Sequence, residues 1–597
     1  MLTINEQIRM LTKEKVKDHF FTTGRICRGL CSLETFKKIR SGGAVTDLRL
    51  MKVLIQRLGK CPNKLEVIIP KDILDIETAQ LRFEDAVDTD NEEGAKEQLK
   101  FFQMLLSESA DNNVALMYFL RNSAIFKYRF AKEKEQAFYD IERAIEATLP
   151  NWQTEGLENL IISTTELENL LAYCLLKYSE EDSAYKGLEF SKGILEYINK
   201  HIDDEEELAN ILPKCRWVRA NLLLKKHDYA KAVEESEKGL GLLRKYAILH
   251  LMLPFIRIIV DYGKGMFLSE PYENYQQYNA LLEWLTSNYD VAKYKFDSLF
   301  VRSNKLMYHY DAEVILGQRK MLGYTQEELA FRVGSTADAI SKIEHGKRSP
   351  NKTTFPKYMK ELGLEWGKQN TAMISEDFHC MEMEEEVNVQ ICMGEYDVAE
   401  KLIKELEAEI DIGYRRNVKR LAVLKTTLEV ERGTVDLEKV IDENKKYLSE
   451  TYPFFDEKIK IERPPFSDEA LLLIEIGACL DRSNRIDEAA ALYGKLVEII
   501  DNSNVDTRLR QRMYGRSLSN YAQVSESEEY LQKAIQYRLR CRSLSGVFGM
   551  LSVISVILYR DSKEKSKTFM YNALYAAELI FSKKNCRNIK KFIDEYF

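Results

Sequence analysis

The chain has 597 residues, of which 45% are hydrophobic and 30% are charged, with only 11 prolines and 27 glycines. One hydrophobic core does not serve a chain of this length, so we expect two or more domains. The composition is typical of a helix-rich soluble protein, and the sequence has neither a run of about 18 apolar residues nor an apolar signal core near its start. These features exclude a membrane span and predict a cytoplasmic protein without membrane contact.

The net charge of −8 is unevenly distributed along the chain. Residues 1–64 hold nine more basic than acidic residues and residues 311–368 hold two more, so the remainder is strongly acidic. Two comparatively basic segments in an acidic protein favour contact with a polyanion at two defined places.

No sequence pattern points to a metal, another cofactor or a catalytic centre. The ten cysteines are scattered without a CxxC motif, which favours reduced thiols over disulfides or a zinc site. His19, Cys27 and Cys31 lack a fourth ligand. A glycine-rich phosphate loop, HExxH and GxSxG are absent, so we predict no cofactor and no enzymatic activity.

Residues 1–65 contain short amphipathic helices and many basic residues. In the stretch TTGRICRGLCSLETFKKIRSGG, Thr22 and Ser32 are predicted helix N-caps, and Phe36 and Ile39 face inward. Taken alone, the segment is compatible with an ordinary amphipathic bundle.

Residues 75–305 contain successive helical hairpins. Polar turns followed by an alanine occur in DNEEGAKEQL, KEKEQAFYDIERAI and KKHDYAKAVEESEKGL. Small residues at this position let antiparallel helices pack closely, a pattern that resembles tetratricopeptide repeats, whose helix pairs stack into a superhelix with a concave face. The stretch 266–310 is predicted to be a capping and connecting helical segment, because it lacks the composition of a flexible linker.

Residues 311–368 contain YTQEELAFRVGSTADAISKIEHGKRSP. Thr325 is a predicted N-cap, and Glu328 completes its capping box. Gly334 supplies a turn with positive φ, and Thr336 caps the next helix. A further helix is predicted from Thr353 to Leu362.

This pattern resembles the Cro/xenobiotic-response-element (XRE) type of helix-turn-helix, a five-helix DNA-binding domain. The resemblance implies that the helix after Thr336 enters the major groove of double-stranded DNA. The implied DNA-binding residues are Gln326, Thr336, Ala337, Asp338, Ser341, Lys342, Lys347 and Arg348. Ala337 offers no hydrogen bond, and Asp338 repels phosphate although it can accept from cytosine. A helical bundle that contacts only proteins is the alternative.

The first 65 residues match the central pattern at an interval of 304 positions. The aligned pairs are Ser32 with Thr336, Phe36 with Ile340, Lys38 with Lys342 and Ile39 with Ile343. We therefore predict a degenerate helix-turn-helix domain at residues 1–65, in which Gly24 and Arg25 replace the glutamates of the central module. Its implied DNA-binding residues are Ser32, Lys37, Lys38 and Arg40. The basic ones suit phosphates better than base edges.

Residues 375–597 repeat the hairpin pattern in MGEYDVAEKLIKEL, DRSNRIDEAAALYGKL and ESEEYLQKAIQY. The sequence thus predicts an all-α fold with two helix-turn-helix domains and two tetratricopeptide-like α-solenoid arrays in tandem. A tandem duplication explains this order.

A helix-turn-helix followed by such repeats resembles the Rgg/PlcR/NprR/PrgX group of peptide-pheromone-responsive transcription factors of Gram-positive bacteria. The resemblance implies quorum sensing, in which a short signalling peptide binds the concave face of the repeats and changes DNA binding. Members of the group act as homodimers. For this chain, both a homodimer and an intramolecular pseudo-dimer of the two halves are open.

A peptide site needs amide side chains, because asparagine both donates to and accepts from an extended backbone. The candidates on predicted inner helices are Asn122, Asn169, Asn221 with the nearby Arg216, and Asn520 in the second array. The first array is therefore favoured as the sensor. Asparagines that cap helices or bond locally are the alternative.

The favoured function is a DNA-binding transcriptional regulator controlled by a short peptide. A repeat scaffold that binds peptides or proteins, with helix-turn-helix modules that contact proteins rather than DNA, is the alternative. The acidic side chains of Asp338 and Glu34 on the predicted recognition helices motivate it.

Overall fold

The computed structural model describes residues 4–41, 47–107, 112–289, 299–301, 306–351, 353–364, 369–371, 373–375, 378–452 and 461–597. α-Helices dominate this part of the chain, and three short strands form a small sheet. The predicted all-α class is confirmed, and the sheet is a feature that the sequence pattern did not predict.

Residues 4–64 form the N-terminal module. Its helices are α1 (Ile4–Lys15), α2 (Thr23–Cys27), α3 (Leu33–Arg40) and α4 (Leu48–Arg57). Thr22 and Ser32 are the N-caps of α2 and α3, since each hydroxyl accepts a hydrogen bond from a backbone amide three residues later, at 3.3 and 3.1 Å. Phe36 and Ile39 of α3 are buried, and α3 packs against α1 and α2.

The strand β1 (Leu65–Ile69) leads into the first repeat array, residues 71–289. Its helices are α5 (Lys71–Asp88), α6 (Glu92–Ser107), α7 (Asn113–Phe126), α8 (Lys134–Thr148), α9 (Trp152–Glu155), α10 (Thr164–Lys177), α11 (Glu181–His201), α12 (Glu205–Lys225), α13 (Tyr229–Lys245), α14 (Met252–Tyr262) and α15 (Tyr272–Asn288). Helices adjacent in the chain pack as hairpins, for example α7 with α8 and α12 with α13. The predicted hairpin alanines Ala95, Ala137 and Ala232 have no exposed surface, as close helix packing requires.

Only part of the predicted connecting stretch 266–310 can be compared with the structure. It contains α15 and the strand β2 (Met307–Tyr310), while residues 290–298 and 302–305 lie outside the described residues.

The strand β2 leads directly into the central module, residues 311–364. Its helices are α16 (Asp311–Met321), α17 (Gln326–Val333), α18 (Ala337–Glu344) and α19 (Phe355–Glu361). The helix pairs that pack are α16 with α18, α17 with α18, and α17 with α19. In the N-terminal module the corresponding pairs are α1 with α3, α2 with α3, and α2 with α4. The two modules therefore have the same order and packing of helices.

The strand β3 (Gln369–Thr371) follows the central module and precedes the second repeat array, residues 378–597. The helices of this array are α20 (His379–Met393), α21 (Tyr396–Glu409), α22 (Arg415–Arg432), α23 (Leu437–Leu448), α24 (Ser467–Arg482), α25 (Ile486–Asp501), α26 (Gln511–Val524), α27 (Glu528–Arg540), α28 (Val547–Leu558), α29 (Lys563–Leu579) and α30 (Lys583–Tyr596). Its hairpin alanines Ala399, Ala489 and Ala534 are also fully buried. Both arrays thus use the same packing.

The three strands form one sheet in the order β2–β1–β3. β1 runs parallel to β2, with Glu66 opposite Met307, and antiparallel to β3, with Glu66 opposite Asn370. All five residues of β1 are buried. The Glu66 carboxylate accepts a hydrogen bond from the Ser467 amide (3.0 Å) at the start of α24 and lies 2.5 Å from Nε2 of His309 in β2. The sheet therefore connects the N-terminal module with both ends of the central module and with the second array.

A second backbone contact joins the far parts of the two arrays. The Leu249 amide donates to the Arg542 carbonyl at 2.9 Å, and the Leu544 amide donates to the Ala247 carbonyl at 2.8 Å. Ile248 and Ser543 thus form an antiparallel bridge. Nearby, α15 packs against α29, and the apolar cores of the two arrays merge there.

Buried arginines attach each module to its array. Arg57 of α4 donates twice to Glu166, at 3.0 and 2.5 Å, and Glu166 caps the start of α10. Arg463 donates twice to Glu469 near the start of α24, both at 2.8 Å, and its Nε donates to Gln318 of α16 at 2.8 Å. The two glutamates are 303 positions apart. A buried arginine–glutamate pair therefore lies at the equivalent helix start of each array. Arg57 belongs to its module, whereas Arg463 precedes α24 and contacts its module through Gln318.

Replacement of Arg57 by methionine is expected to destabilise the protein by about 3–5 kcal/mol, because Glu166 remains buried without a cation. The double variant Arg57→Met/Glu166→Gln is expected to recover much of the loss, since the glutamine keeps the helix cap without a charge. Lys401→Met is the control, because Lys401 forms an exposed pair with Glu405. Urea unfolding monitored by circular dichroism measures the three variants. Equal effects of Arg57→Met and Lys401→Met would contradict the expectation.

Candidate nucleic-acid interface

Helix caps fix the position of α18, the predicted recognition helix. The Thr325 hydroxyl accepts from the Glu328 amide at 3.1 Å, and the Glu328 carboxylate accepts from the Thr325 amide at 2.7 Å, so the predicted capping box is confirmed. Gly334 ends α17 with a φ of +69°, a conformation that favours glycine. Thr336 then caps α18, where its hydroxyl accepts from the Ala339 amide at 3.2 Å. The local sequence alone sets this helix-turn-helix.

A buried carboxylate connects α18 with the helices behind it. Glu344 accepts from Arg319 of α16 at 2.5 and 3.0 Å and from the side-chain amide of Gln326 at 2.7 Å. Gln326 was predicted to approach a phosphate, and in this structure its amide is held by Glu344 instead. Ile340 and Ile343 are buried on the inner face of α18, as predicted.

The outer face of α18 and the turn after it carry the other predicted DNA-binding residues of the central module. Thr336, Asp338, Lys342, Lys347 and Arg348 are exposed, and Ala337 and Ser341 are half-buried. Nζ of Lys342 lies 2.6 Å from the Asp338 carboxylate, one helical turn earlier. An exposed pair of this kind is easily broken, so Lys342 is free to turn towards a phosphate.

The N-terminal module presents a similar face on α3. Ser32, Lys37 and Lys38 are exposed and Arg40 is half-buried. Nζ of Lys38 lies 2.8 Å from Glu34, an exposed pair 304 positions before the pair between Asp338 and Lys342. Both helices therefore offer an acid near their start and a lysine one turn later.

Each module also has an exposed apolar side chain. Phe331 of α17 is 88% exposed, and Leu33 at the start of α3 is 44% exposed. The sequence signal for the exposure of Phe331 is the spacing of the apolar residues in α17. Phe331 falls outside the buried stripe formed by Leu329, Ala330 and Val333.

The predicted peptide-binding residues do not meet at one surface. Asn122 and Asn169 are buried, and among the described residues both amide atoms of Asn169 lack a hydrogen-bond partner. Asn221 is half-buried and donates to the Trp217 carbonyl in its own helix at 2.7 Å. Arg216 is bound to Glu235 at 2.8 Å, and Asn520 donates to the Tyr493 hydroxyl at 3.0 Å. Asn221 therefore fits the alternative stated above, in which an asparagine hydrogen-bonds within its own helix.

Cavities nevertheless lie on the inner helices of both arrays. One of about 110 Å³ is lined by residues of α4, α5, α7 and α10 in the first half. One of about 230 Å³ is lined by residues of α20, α22, α24 and α26 in the second half and by residues 63–66 next to it. The wall of the second cavity includes Arg516 and Arg538, which the sequence analysis did not single out. The order of charged residues in a sequence does not reveal which arginines have no carboxylate as an ion-pair partner in the folded chain.

Comparison with known proteins identifies residues 317–368 as a match to the helix-turn-helix family. PlcR of Bacillus thuringiensis, in a crystal structure with a peptide and DNA, is 15% identical with a TM-score of 0.31; the alignment covers 47% of this chain and 98% of that one. The Cut9–Hcn1 hetero-tetramer of APC/C is 10% identical with a TM-score of 0.21, over 86% of this chain and 96% of that one. At these values neither structure indicates what this chain binds. No curated protein matched.

No described helix has the length and apolar character that a membrane crossing requires. In the same part of the chain, no three His, Cys, Asp or Glu side chains are grouped to hold a metal ion. The ten cysteines are free thiols.

Gly346 and Gly334 offer a matched test of the placement of α18. Both have positive φ, +67° and +69°, but an added Cβ meets the Tyr310 hydroxyl at 1.9 Å at Gly346 and only open space at Gly334. Each alanine variant is expected to lose about 1 kcal/mol from backbone strain, and Gly346→Ala is expected to lose more because β2 and α18 must separate. Urea midpoints compare the two variants; equal losses would show that Tyr310 does not limit this turn.

Proposed function

We propose that the protein is a cytoplasmic DNA-binding transcriptional regulator. The observation that carries the proposal is the helix-turn-helix match at residues 317–368, together with an exposed basic surface on and after α18. Lys342, Lys347 and Arg348 lie where phosphates flank a recognition helix in a major groove. DNA contact by the degenerate N-terminal module is part of the proposal.

The two halves are proposed to act as an intramolecular pseudo-dimer that arose by tandem duplication. In an interface with two-fold symmetry, each residue on the axis pairs with its own counterpart. Glu66 lies opposite Asn370, 304 positions further along, which is the interval that aligns the two modules. Ile248 lies opposite Ser543, 295 positions further along. The backbone marks them as counterparts at this interval, because Ala247 and Arg542 before them and Leu251 and Gly546 after them have positive φ. Two self-paired positions support an axis between the halves.

Control by a short peptide is proposed from the cavities on the inner helices of the arrays. A ligand of this kind would bind where helices of several repeats converge, and it would bias how the halves are held. The scaffold function remains the second candidate, because Asp338 and Glu34 place acidic groups on the surfaces that would face phosphates.

DNA binding can be tested with a fragment from upstream of the protein's own gene. Wild-type protein is expected to bind with an affinity that falls steeply with salt, since basic side chains displace counterions from phosphates. The variant Lys342→Ala/Lys347→Ala/Arg348→Ala is expected to reduce the slope of log K against log salt by about 3, or about 0.9 for each phosphate contact. The control Lys401→Ala/Lys404→Ala/Lys439→Ala removes three exposed lysines from the second array. Absence of binding at low salt would favour the scaffold.

The pseudo-dimer predicts a monomer in solution. Light scattering is expected to give a mass near 69.5 kDa, because the two halves already bury the surface through which two chains would pair. Measurements over a hundredfold range of concentration provide the control. A mass twice as large throughout would indicate a homodimer and contradict the intramolecular arrangement.

A further inference from the structure

The cavity of about 230 Å³ in the second array lies against the sheet that joins the two halves. Helices α20, α22, α24, α26 and α27 supply most of its wall. The cavity is also lined by residues 63 and 64, by Leu65 and Glu66 of β1, by Tyr246 and by Met307 of β2. A molecule in this cavity would therefore contact both halves of the chain.

Most of the charges in the wall of the cavity are paired. Arg420 donates to Glu384 at 2.7 Å. Lys64 lies 2.7 Å from Asp204, and Arg512 lies 2.9 Å from Glu206. These cations are neutralised by neighbouring carboxylates and are not available to a ligand.

Arg516 and Arg538 are different. Neither forms an ion pair with a carboxylate of the described residues, and Arg538 donates through Nε to the Ser519 hydroxyl at 3.2 Å. Gly515 leaves room for this guanidinium, since an added Cβ would lie 2.8 Å from its Nη1. Burial lowers the pKa of Arg538 to about 10; Tyr537 opposes this shift, and the nearby Arg516 adds to it. Arg516 is exposed and Arg538 is half-buried, so the cost of desolvation falls on Arg538, and a bound anion would relieve it.

The acidic side chains around this pair do not neutralise it. Glu385 lines the same cavity, and burial raises its pKa above the usual range. Glu475 of α24 is buried, accepts from the Thr427 hydroxyl at 3.0 Å, and has its pKa raised by burial to about 7. Both carboxyls are thus shifted towards their neutral forms.

The corresponding cavity of the first array has its cations beside carboxylates or aromatic rings. Its volume is about 110 Å³. In its wall, Lys52 lies 3.2 Å from Glu77 and donates to the Tyr308 hydroxyl at 2.6 Å, and Arg121 lies 3.3 Å from Glu168.

Arg49 in the same wall forms no ion pair with a described carboxylate, but it lies over the rings of Phe102 and Tyr118. Against the effect of burial, it acts with Lys52 to lower the pKa of the nearby Glu77. The two arrays therefore differ in whether their cavity has cations that an anionic ligand could bind.

We propose that the cavity of the second array binds the carboxylates of a short acidic peptide, one molecule per chain, through Arg516 and Arg538. Asn388 in the same wall donates to the Glu384 carbonyl of its own helix at 2.8 Å, and its side-chain oxygen is suited to accept from the peptide backbone. The inference rests on the proposed control by a peptide and names the chemical class of that ligand. It assigns the ligand to the second array, whereas the asparagine pattern of the sequence favoured the first.

Calorimetric titration of the full-length protein with N-acetylated, C-amidated tetraglutamate tests the ligand class. One binding site per chain is expected, with binding at least tenfold weaker in Arg516→Gln and in Arg538→Gln. Tetraglutamine is expected not to bind. Two equal sites per chain, or unchanged affinity in both variants, would overturn the proposal. If the protein bound citrate and tetraglutamate did not displace it, the assignment of the ligand as a peptide would be overturned.

The stability of the ligand-free variants gives an independent readout. Arg538→Gln removes an unpaired cation, so the thermal unfolding midpoint is expected to stay constant or rise by about 1–2 °C. Arg420→Gln is the matched control and is expected to lower the midpoint, because Glu384 loses its partner. An equal fall in both variants would assign Arg538 a structural role and overturn the proposal. DNA binding measured on the same proteins separates this outcome from failure of the proposed function.

Discussion

The central strand β1 constrains the arrangement of the molecule more than any other element. It follows the N-terminal module directly and lies between β2 and β3, which immediately flank the central module. All its side chains are buried, and Glu66 also accepts a hydrogen bond from the second array through Ser467. A buried strand cannot shift register without exposing apolar side chains or leaving backbone groups unpaired. The two modules are therefore held by one rigid element rather than by a flexible linker.

Local signals predicted the parts of the fold that depend on local contacts. The caps at Thr22, Ser32, Thr325 and Thr336 and the fully buried hairpin alanines are found where the sequence indicated them, because caps and small residues at helix crossings act over a few residues. The sheet was not predicted. Its strands span five residues or fewer, and their partners are distant in the chain, so no period in the sequence marks them.

The candidate site divides in the same way. Helix α18 and its exposed residues follow from the helix caps and the apolar period of the sequence. The partners of individual side chains do not: Gln326 is bound to a glutamate 18 positions away. Asn169 shows why binding residues of the repeats are hard to predict. An asparagine within an apolar helix has the same spacing in the sequence whether its side chain faces a groove or the interior. Arg516 and Arg538 are recognisable only when the positions of all nearby carboxylates are known.

The cavity of the second array contains arginines without a carboxylate partner, and this feature affects the whole molecule. Arg538 is half-buried without a carboxylate partner, which lowers stability, and a bound anion would relieve this cost. The cavity that contains these arginines is closed on one side by the start of β1, the strand that positions both modules. A bound anion would strengthen the contacts between the second array and this strand, and it would favour the arrangement of the modules in which the cavity is closed. Under the proposed function, a single ligand in the second array would thereby act on both α3 and α18 without a second copy of the chain.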